Sequence, residues 1–256
     1  MTTFSGALKG RYPSLDYACV EQLLERAQAA KVPVYRDADV SPVAKVPYKT
    51  RAFFQVALRR NMELTACFVH SFNNELFVPL FVTARAVVET GCLVWDLWAR
   101  VESILKTLDK AALEEFDKHV GNVLLGAKSK AWRDNPEKYP APNVLTIIDR
   151  LTKAQFPHLR EFYDRLSEFA HPNFAGMLAT YWTFTERDHE SRFVDSPFHE
   201  IAVGLDFPLN AVAVGLRVTV QGVESYEKDL VTFTRLCEEE IHDSGTWPDD
   251  IPYPRA

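Results

Sequence analysis

Along most of the chain apolar side chains recur at three- and four-residue steps, the spacing of helices that bury one face. The pattern is cleanest between Phe156 and Asn173, where Leu159, Phe162, Tyr163, Leu166, Phe169 and Ala170 fall in register. Pro157 suits a first turn, and Pro172 disfavours helical backbone at His171, so this helix should stop near Ala170. Arg165, Glu168 and His171 then gather around its C-terminal end. The same reading predicts helices from Ser14 to about Ala30, Thr50 to Phe72, Glu75 to about Leu105, Asp109 to about Gly126, Asn143 to about Ala154 and Pro208 to about His242. The Glu75 helix is apolar nearly all round and belongs in the middle of a bundle. In the last helix Val212, Val214, Leu216, Val218 and Val220 also alternate, which leaves a strand open at its start.

Other stretches break the helical period. Thr180 to Thr185 alternates aromatic residues with threonine, and Arg192 to Val194 can return beside it across the polar turn ERDHES, which predicts a small hairpin. Lys31 to Pro47 carries Pro33, Pro42 and Pro47 and reads as a connection long enough for a lid or a partner contact. Lys128 to Pro142, rich in proline and charge, reads as an exposed loop. The expected fold is mainly α: a single-domain helical bundle of about six to seven helices with a small β-hairpin near residues 180–195. The bundle is expected over residues 14–242, between a flexible N-terminal segment, 1–13, and an irregular C-terminal tail, 243–256.

Charge and cysteine content narrow the function classes. A formal net charge of -6 repels polyanions overall, so contact with nucleic acid needs a local basic patch. Cys19, Cys67, Cys92 and Cys237 lie far apart inside apolar helical patterns and read as reduced core residues. The longest uncharged apolar runs, Leu76 to Ala84 and Phe207 to Leu216, fall short of a bilayer span of roughly 20 residues. With no signal-peptide pattern in MTTFSGALKGRYP, the expectation is a cytoplasmic protein without a membrane segment.

Polar residues are scarce in the central helix, yet Arg85, Glu89, Cys92 and Asp96 fall at steps of four, three and four and share one stripe. Buried charges persist only when paired, so an Arg85 to Glu89 pair at the core rim is one expectation; a cleft shared with Arg165 and His171 is the other. Zinc-protease and nucleophile-elbow motifs are absent, and the seven histidines show no zinc spacing. Gly121 to Ser129, GNVLLGAKS, has one residue too many for a phosphate loop and follows a helix rather than a strand.

Three arginine–histidine pairs have four to six residues between them: Arg165 with His171, Arg192 with His199, and Arg235 with His242. Arg192 with His199 falls in the predicted hairpin region, and the acidic run EEEIH around His242 opposes phosphate binding, so only the first pair has the expected context. That motif, YDRLSEFAHPN from Tyr163 to Asn173, resembles the signature of the HEPN superfamily, an arginine and a histidine at a helix end in a helical bundle. Arg85 and Glu89 similarly resemble the Arg-x-x-x-Glu of bacterial HEPN-like proteins. Leu166 follows the arginine where many active members carry a polar residue.

The resemblance implies RNA cleavage without metal or cofactor, at the interface of a homodimer, in a defence or toxin setting where an antitoxin or regulatory protein is a natural partner. His171 would act as general base and Arg165 would stabilise the phosphate charge, with Glu168 or Asn173 orienting the imidazole. The alternative is a non-catalytic helical scaffold or small-molecule and partner-binding protein, using Trp95, Trp98, Tyr181, Trp182 and Phe184. Another local reading pairs Arg165 with Glu161 and leaves His171 as a helix cap.

Overall fold

A 31-residue helix, Phe77–Thr107, forms the axis of the computed structural model. Its length and composition alone would let it cross a membrane, although Arg85 and Glu89 break its apolar sequence into shorter uncharged runs. It is instead the core helix of a mainly helical bundle: Leu80, Phe81, Ala84, Val87, Val88, Val94, Leu97 and Val101 are all buried. The structure describes residues 3–126, 139–185, 190–195, 204–248, 250 and 251.

In chain order the described elements begin with α1 (Gly6–Arg11), α2 (Tyr17–Ala29), α3 (Asp37–Val40), α4 (Lys45–Asn73) and α5 (Phe77–Thr107). They continue with α6 (Ala111–Leu125), α7 (Val144–Ala154), α8 (Leu159–Ala170), a π-helical turn over Phe174–Leu178 and the single turn α9 (Ala179–Tyr181). The last are β1 (Trp182–Thr185), β2 (Glu190–Phe193) and α10 (Asp206–Asp243). α5 packs most extensively on α10, then on α4, while α7 and α8 cover another of its sides. The β strands pair antiparallel, Trp182 opposite Phe193 and Thr185 opposite Glu190, so the expected hairpin is present, but Thr180 and Tyr181 belong to α9, and Glu190 and Ser191, expected in the turn, belong to β2.

Close approach of α5 and α10 depends on missing side chains. A Cβ placed on Gly91 would lie 2.5 Å from the Gly215 carbonyl oxygen, and one on Gly215 would lie 2.8 Å from that of Val87. Asn61 of α4 then ties the three long helices together, its Nδ2 donating to Thr219 Oγ1 at 2.6 Å and to the Val87 carbonyl at 3.3 Å. The valines at the start of α10 belong to helix, not strand, because Val212, Val218 and Val220 are all buried against neighbouring helices.

Several boundaries differ from the sequence reading. Residues 6–11, expected within a flexible lead-in, form α1: Ser5 accepts from the Leu8 amide, and Phe4 and Leu8 are buried. Phe4 stacks near Tyr17 and Phe72, which fixes the segment to the bundle. α2 is capped by Asp16 rather than Ser14. The connection at 31–47 contains α3 and the first turn of α4, where Pro47 sits without loss because first-turn amides have no intrahelical acceptor. It is anchored by Arg59, which donates to the Val32 carbonyl at 2.7 Å, and by Tyr35, over whose ring Arg51 lies. Within the tail expected at 243–256, Trp247 Nε1 donates to the Ile251 carbonyl. Most of the loop expected at 128–142, the turn residues 186–189 and His199 lie outside the described residues.

Candidate functional site

Helix α8 sets the site because its buried face, Leu159, Tyr163 and Leu166, docks it on α5. Phe169 completes the dock against Phe77 and Phe81, with ring centroids 5.8 and 4.8 Å away. Helical backbone ends at Ala170, and His171 continues in extended conformation, as the proline at 172 requires. The next residues fold back tightly: a Cβ on Gly176 would lie 2.0 Å from the His171 carbonyl oxygen, so only glycine fits. Asn173 pins this turn, accepting from the Gly176 amide at 2.9 Å and donating to Glu168 Oε2 at 2.7 Å.

This arrangement brings His171 to Arg85 rather than to Arg165. Arg85 Nη1 lies 3.0 Å from His171 Nε2, and since a guanidinium only donates, the imidazole nitrogen accepts in this contact. Arg85 Nε donates to Glu89 Oε1 at 3.0 Å and to the Tyr163 hydroxyl at 3.1 Å, while that hydroxyl donates to Glu89 Oε1 at 2.7 Å. The expected Arg85 to Glu89 pair is therefore present, and His171 joins it through Arg85. Burial pulls the Arg85 guanidinium down, but Tyr163 and Glu89 outweigh it and hold it above its ordinary value. Burial, reinforced by the Glu89 carboxylate, pushes the Tyr163 hydroxyl up, so it remains a donor at neutral pH.

Arg165 leaves α8 on another side, its guanidinium 4.4 Å from the Phe207 ring centroid at the start of α10. Glu161, its alternative partner, lies 3.6 Å from His158 instead. Thus Arg85, Glu89 and His171 meet; Glu168 and Asn173 support the turn beyond His171; Arg165 stands apart. The sequence reading placed Tyr163 in the apolar core, and its position in the buried stripe carries no sign that its hydroxyl bridges Glu89 and Arg85. Tyr163→Phe, which deletes only that hydroxyl, is expected to lower stability by about 1–3 kcal/mol, measurable by urea unfolding.

Further along the α5 stripe, Cys92 is buried and its thiol is pushed up to about 12, by burial first and by Glu89 and Asp96 after it, which makes it unreactive. Asp96, only 1% exposed, forms a second polar cluster. Its carboxylate accepts from His119 Nε2 of α6 at 2.6 Å, from Arg100 Nε at 3.3 Å and from Arg150 Nη1 of α7. Burial alone would raise this carboxyl, but the His119 hydrogen bond and the charges of Arg100, His119 and Arg150 leave it below the usual range. Asp96 stood in the predicted stripe; its partners, from three separate helical segments, did not.

Between α2 and α4 runs an open groove of about 520 Å³, walled by Leu24, Met62 and Ala66 with Lys31, Arg59 and Glu63 at its edges. The described residues contain no group of three or more His, Cys, Asp and Glu side chains placed to share a metal ion. In comparisons with known proteins, no family model, curated protein or solved structure matches the chain.

Proposed function

We propose that the protein is a cytoplasmic, metal-independent ribonuclease of HEPN-like type in which Arg85 and His171 act together. One observation carries the reading: an exposed histidine at a helix end, 3.0 Å from an arginine whose own orientation is fixed by Glu89 and Tyr163. Imidazole exchanges protons near neutral pH, and a guanidinium fork matches phosphate oxygens. When a phosphodiester enters, Arg85 Nη1 turns to a phosphate oxygen and frees His171 Nε2. The imidazole then takes the proton of the ribose 2′-hydroxyl, whose oxygen attacks phosphorus. Negative charge on the phosphoryl oxygens is held by Arg85, and the 5′-oxygen departs with a proton from the imidazolium. The products are a 2′,3′-cyclic phosphate and a 5′-hydroxyl, so no metal is required for the balance.

The predicted partner is a second copy of the chain. Phe174, Met177 and Leu178 are 70%, 53% and 47% exposed on the turn that follows His171, an apolar face suited to a two-fold contact beside the site. A regulatory protein that covers this face would silence the enzyme, consistent with a toxin or defence role.

The test is RNA cleavage in EDTA by wild type, Arg85→Ala, His171→Ala and Arg165→Ala, with folding checked by circular dichroism. Loss of about 100-fold or more is expected for the first two variants, the scale of general-base and charge stabilisation. Arg165→Ala, whose side chain lies over Phe207, is expected to retain activity within a few fold. Equal activity in wild type and His171→Ala overturns the reading. Wild type inert on varied RNAs favours the alternative, a ligand-binding scaffold, for which the groove between α2 and α4 is the supporting observation.

A further inference from the structure

We propose that Arg100 and Arg150, held together by the buried Asp96 carboxylate, form a phosphate-binding site separate from the Arg85 and His171 pair. Asp96 carries one negative charge and faces two guanidinium groups besides the His119 imidazole. The cluster therefore has a surplus of one positive charge when His119 is neutral and two when it is protonated. Among the described residues no second carboxylate pairs with either arginine.

The surplus is also outward-facing. Asp96 is 1% exposed, whereas the side chains of Arg100 and Arg150 are 30% and 44% exposed. Arg100 uses Nε on the carboxylate, which leaves both of its terminal nitrogens for another acceptor. Arg150 uses Nη1, and its guanidinium carbon lies 5.7 Å from the Trp95 ring centroid, leaving Nη2 and Nε. A buried carboxylate needs one good cation to offset its charge; a second guanidinium adds repulsion between like charges that an incoming anion relieves. Two half-exposed planar forks, each tethered to Asp96 by one nitrogen and keeping N–H donors to spare, suit the tetrahedral oxygens of a phosphate mono- or diester.

The site also has a place in the proposed chemistry. Asp96 lies eleven residues beyond Arg85 on the same stripe of α5, a separation of about 16 Å at helical rise. A strand that presents one phosphate to His171 can reach Arg100 and Arg150 with another, so this second contact sets the direction and register of RNA across the helix. That use of the site rests on the ribonuclease reading; its affinity for phosphate does not.

Two arms separate the possibilities. In the first, the melting temperature is followed in inorganic phosphate and in chloride of equal ionic strength, for wild type and for Arg100→Gln/Arg150→Gln. Phosphate is expected to raise the wild-type value by a few degrees and to lose that effect in the double variant. In the second, binding of a single-stranded 2′-O-methyl oligonucleotide, which cannot be cleaved through its 2′-oxygen, is measured across salt concentrations. The slope of log Kd against log salt is expected to fall by about 0.7 for each arginine that contacts a phosphate.

A phosphate effect without a slope change assigns the site to free phosphate esters, and a slope change assigns it to the RNA backbone; both support the proposal. No specific phosphate effect and an unchanged slope overturn it and leave the cluster as an ion-pair knot. Phosphate stabilisation that survives in the double variant, with an unchanged slope, overturns it as well. If the glutamine pair fails to fold, the Arg100→Lys/Arg150→Lys pair keeps the charge and loses the forks; it should retain the slope while binding more weakly. Failure of the ribonuclease reading is seen independently, as absence of cleavage by wild type.

Discussion

Asp96→Ala is expected to lower the unfolding free energy by about 3 kcal/mol, the low end of the range for breaking a buried ion pair. The carboxylate is 1% exposed and joins α5, α6 and α7 through His119, Arg100 and Arg150, so its loss removes the shared acceptor of all three. The cost stays at the low end because the two arginines, 30% and 44% exposed, can turn their charges to water. Arg150→Ala removes one of three partners at a half-exposed position and should cost about 1 kcal/mol or less. Asp96→Asn keeps the volume and one acceptor oxygen but removes the charge and sets an amide donor against at least one guanidinium, so it is expected to fall closer to alanine than to wild type. Urea unfolding of the three variants at neutral pH measures the order; Asp96→Asn as stable as wild type would show that the charge of the carboxylate is immaterial.

The same cluster sets an acid limit. Because the folded-state pKa of Asp96 is held below its unfolded value, its stabilisation is fully present above about pH 4 and is lost as pH falls through the folded pKa. Asp37, Glu114 and Asp243 also have lowered values through lysine hydrogen bonds, but all three are fully solvated and their pairs are screened. The acid unfolding limb of Asp96→Ala should therefore be shallower than that of wild type below about pH 4, with little difference above pH 5 in the slope of stability against pH.

Why the bundle was readable and the site only half so follows from the range of each signal. Periodic burial is local: Leu159, Tyr163 and Leu166 repeat within one helix, and the ends of α5, α7, α8 and α10 lie within about two residues of the expected ones. Helix α1 carries no periodic signal because its six residues have a single buried side chain, Leu8, and the segment is held by Phe4 packing on Tyr17 and Phe72. Arg85 and Glu89 were legible as a pair by their four-residue step, and His171 by its place before Pro172. Their meeting was not legible, because it depends on where α8 crosses α5. Proximity in sequence favoured Arg165 as the partner of His171; the helix directs Arg165 toward α10 and Phe207, while His171 lies past the last turn, beside α5.

Gly215→Val is expected to cost about 3 kcal/mol and to lower the melting temperature by about 6–12 °C, since it forces apart the most extensive helix pair. The added Cβ meets backbone: the Val87 carbonyl oxygen at 2.8 Å and carbon at 2.9 Å, neither of which can rotate away. Gly91→Val meets the backbone of α10 in turn, 2.5 Å from the Gly215 carbonyl oxygen, and is expected to be at least as damaging. Gly222→Ala meets Val94 Cγ1 at 2.5 Å, a side-chain atom that can shift with its rotamer, so its penalty should be smaller. Gly10→Ala has nothing within 4 Å and sits in α1, so better helix propensity should stabilise the protein by up to about 1 kcal/mol. The ranking separates close backbone approach from general intolerance of side chains on glycine positions, and thermal unfolding of the four variants reads it directly. A Gly215→Val protein as stable as wild type would mean that α5 and α10 do not touch through these glycines. The displaced carbonyl belongs to Val87, which lies between Arg85 and Glu89, so any separation that does occur moves the stripe carrying the site.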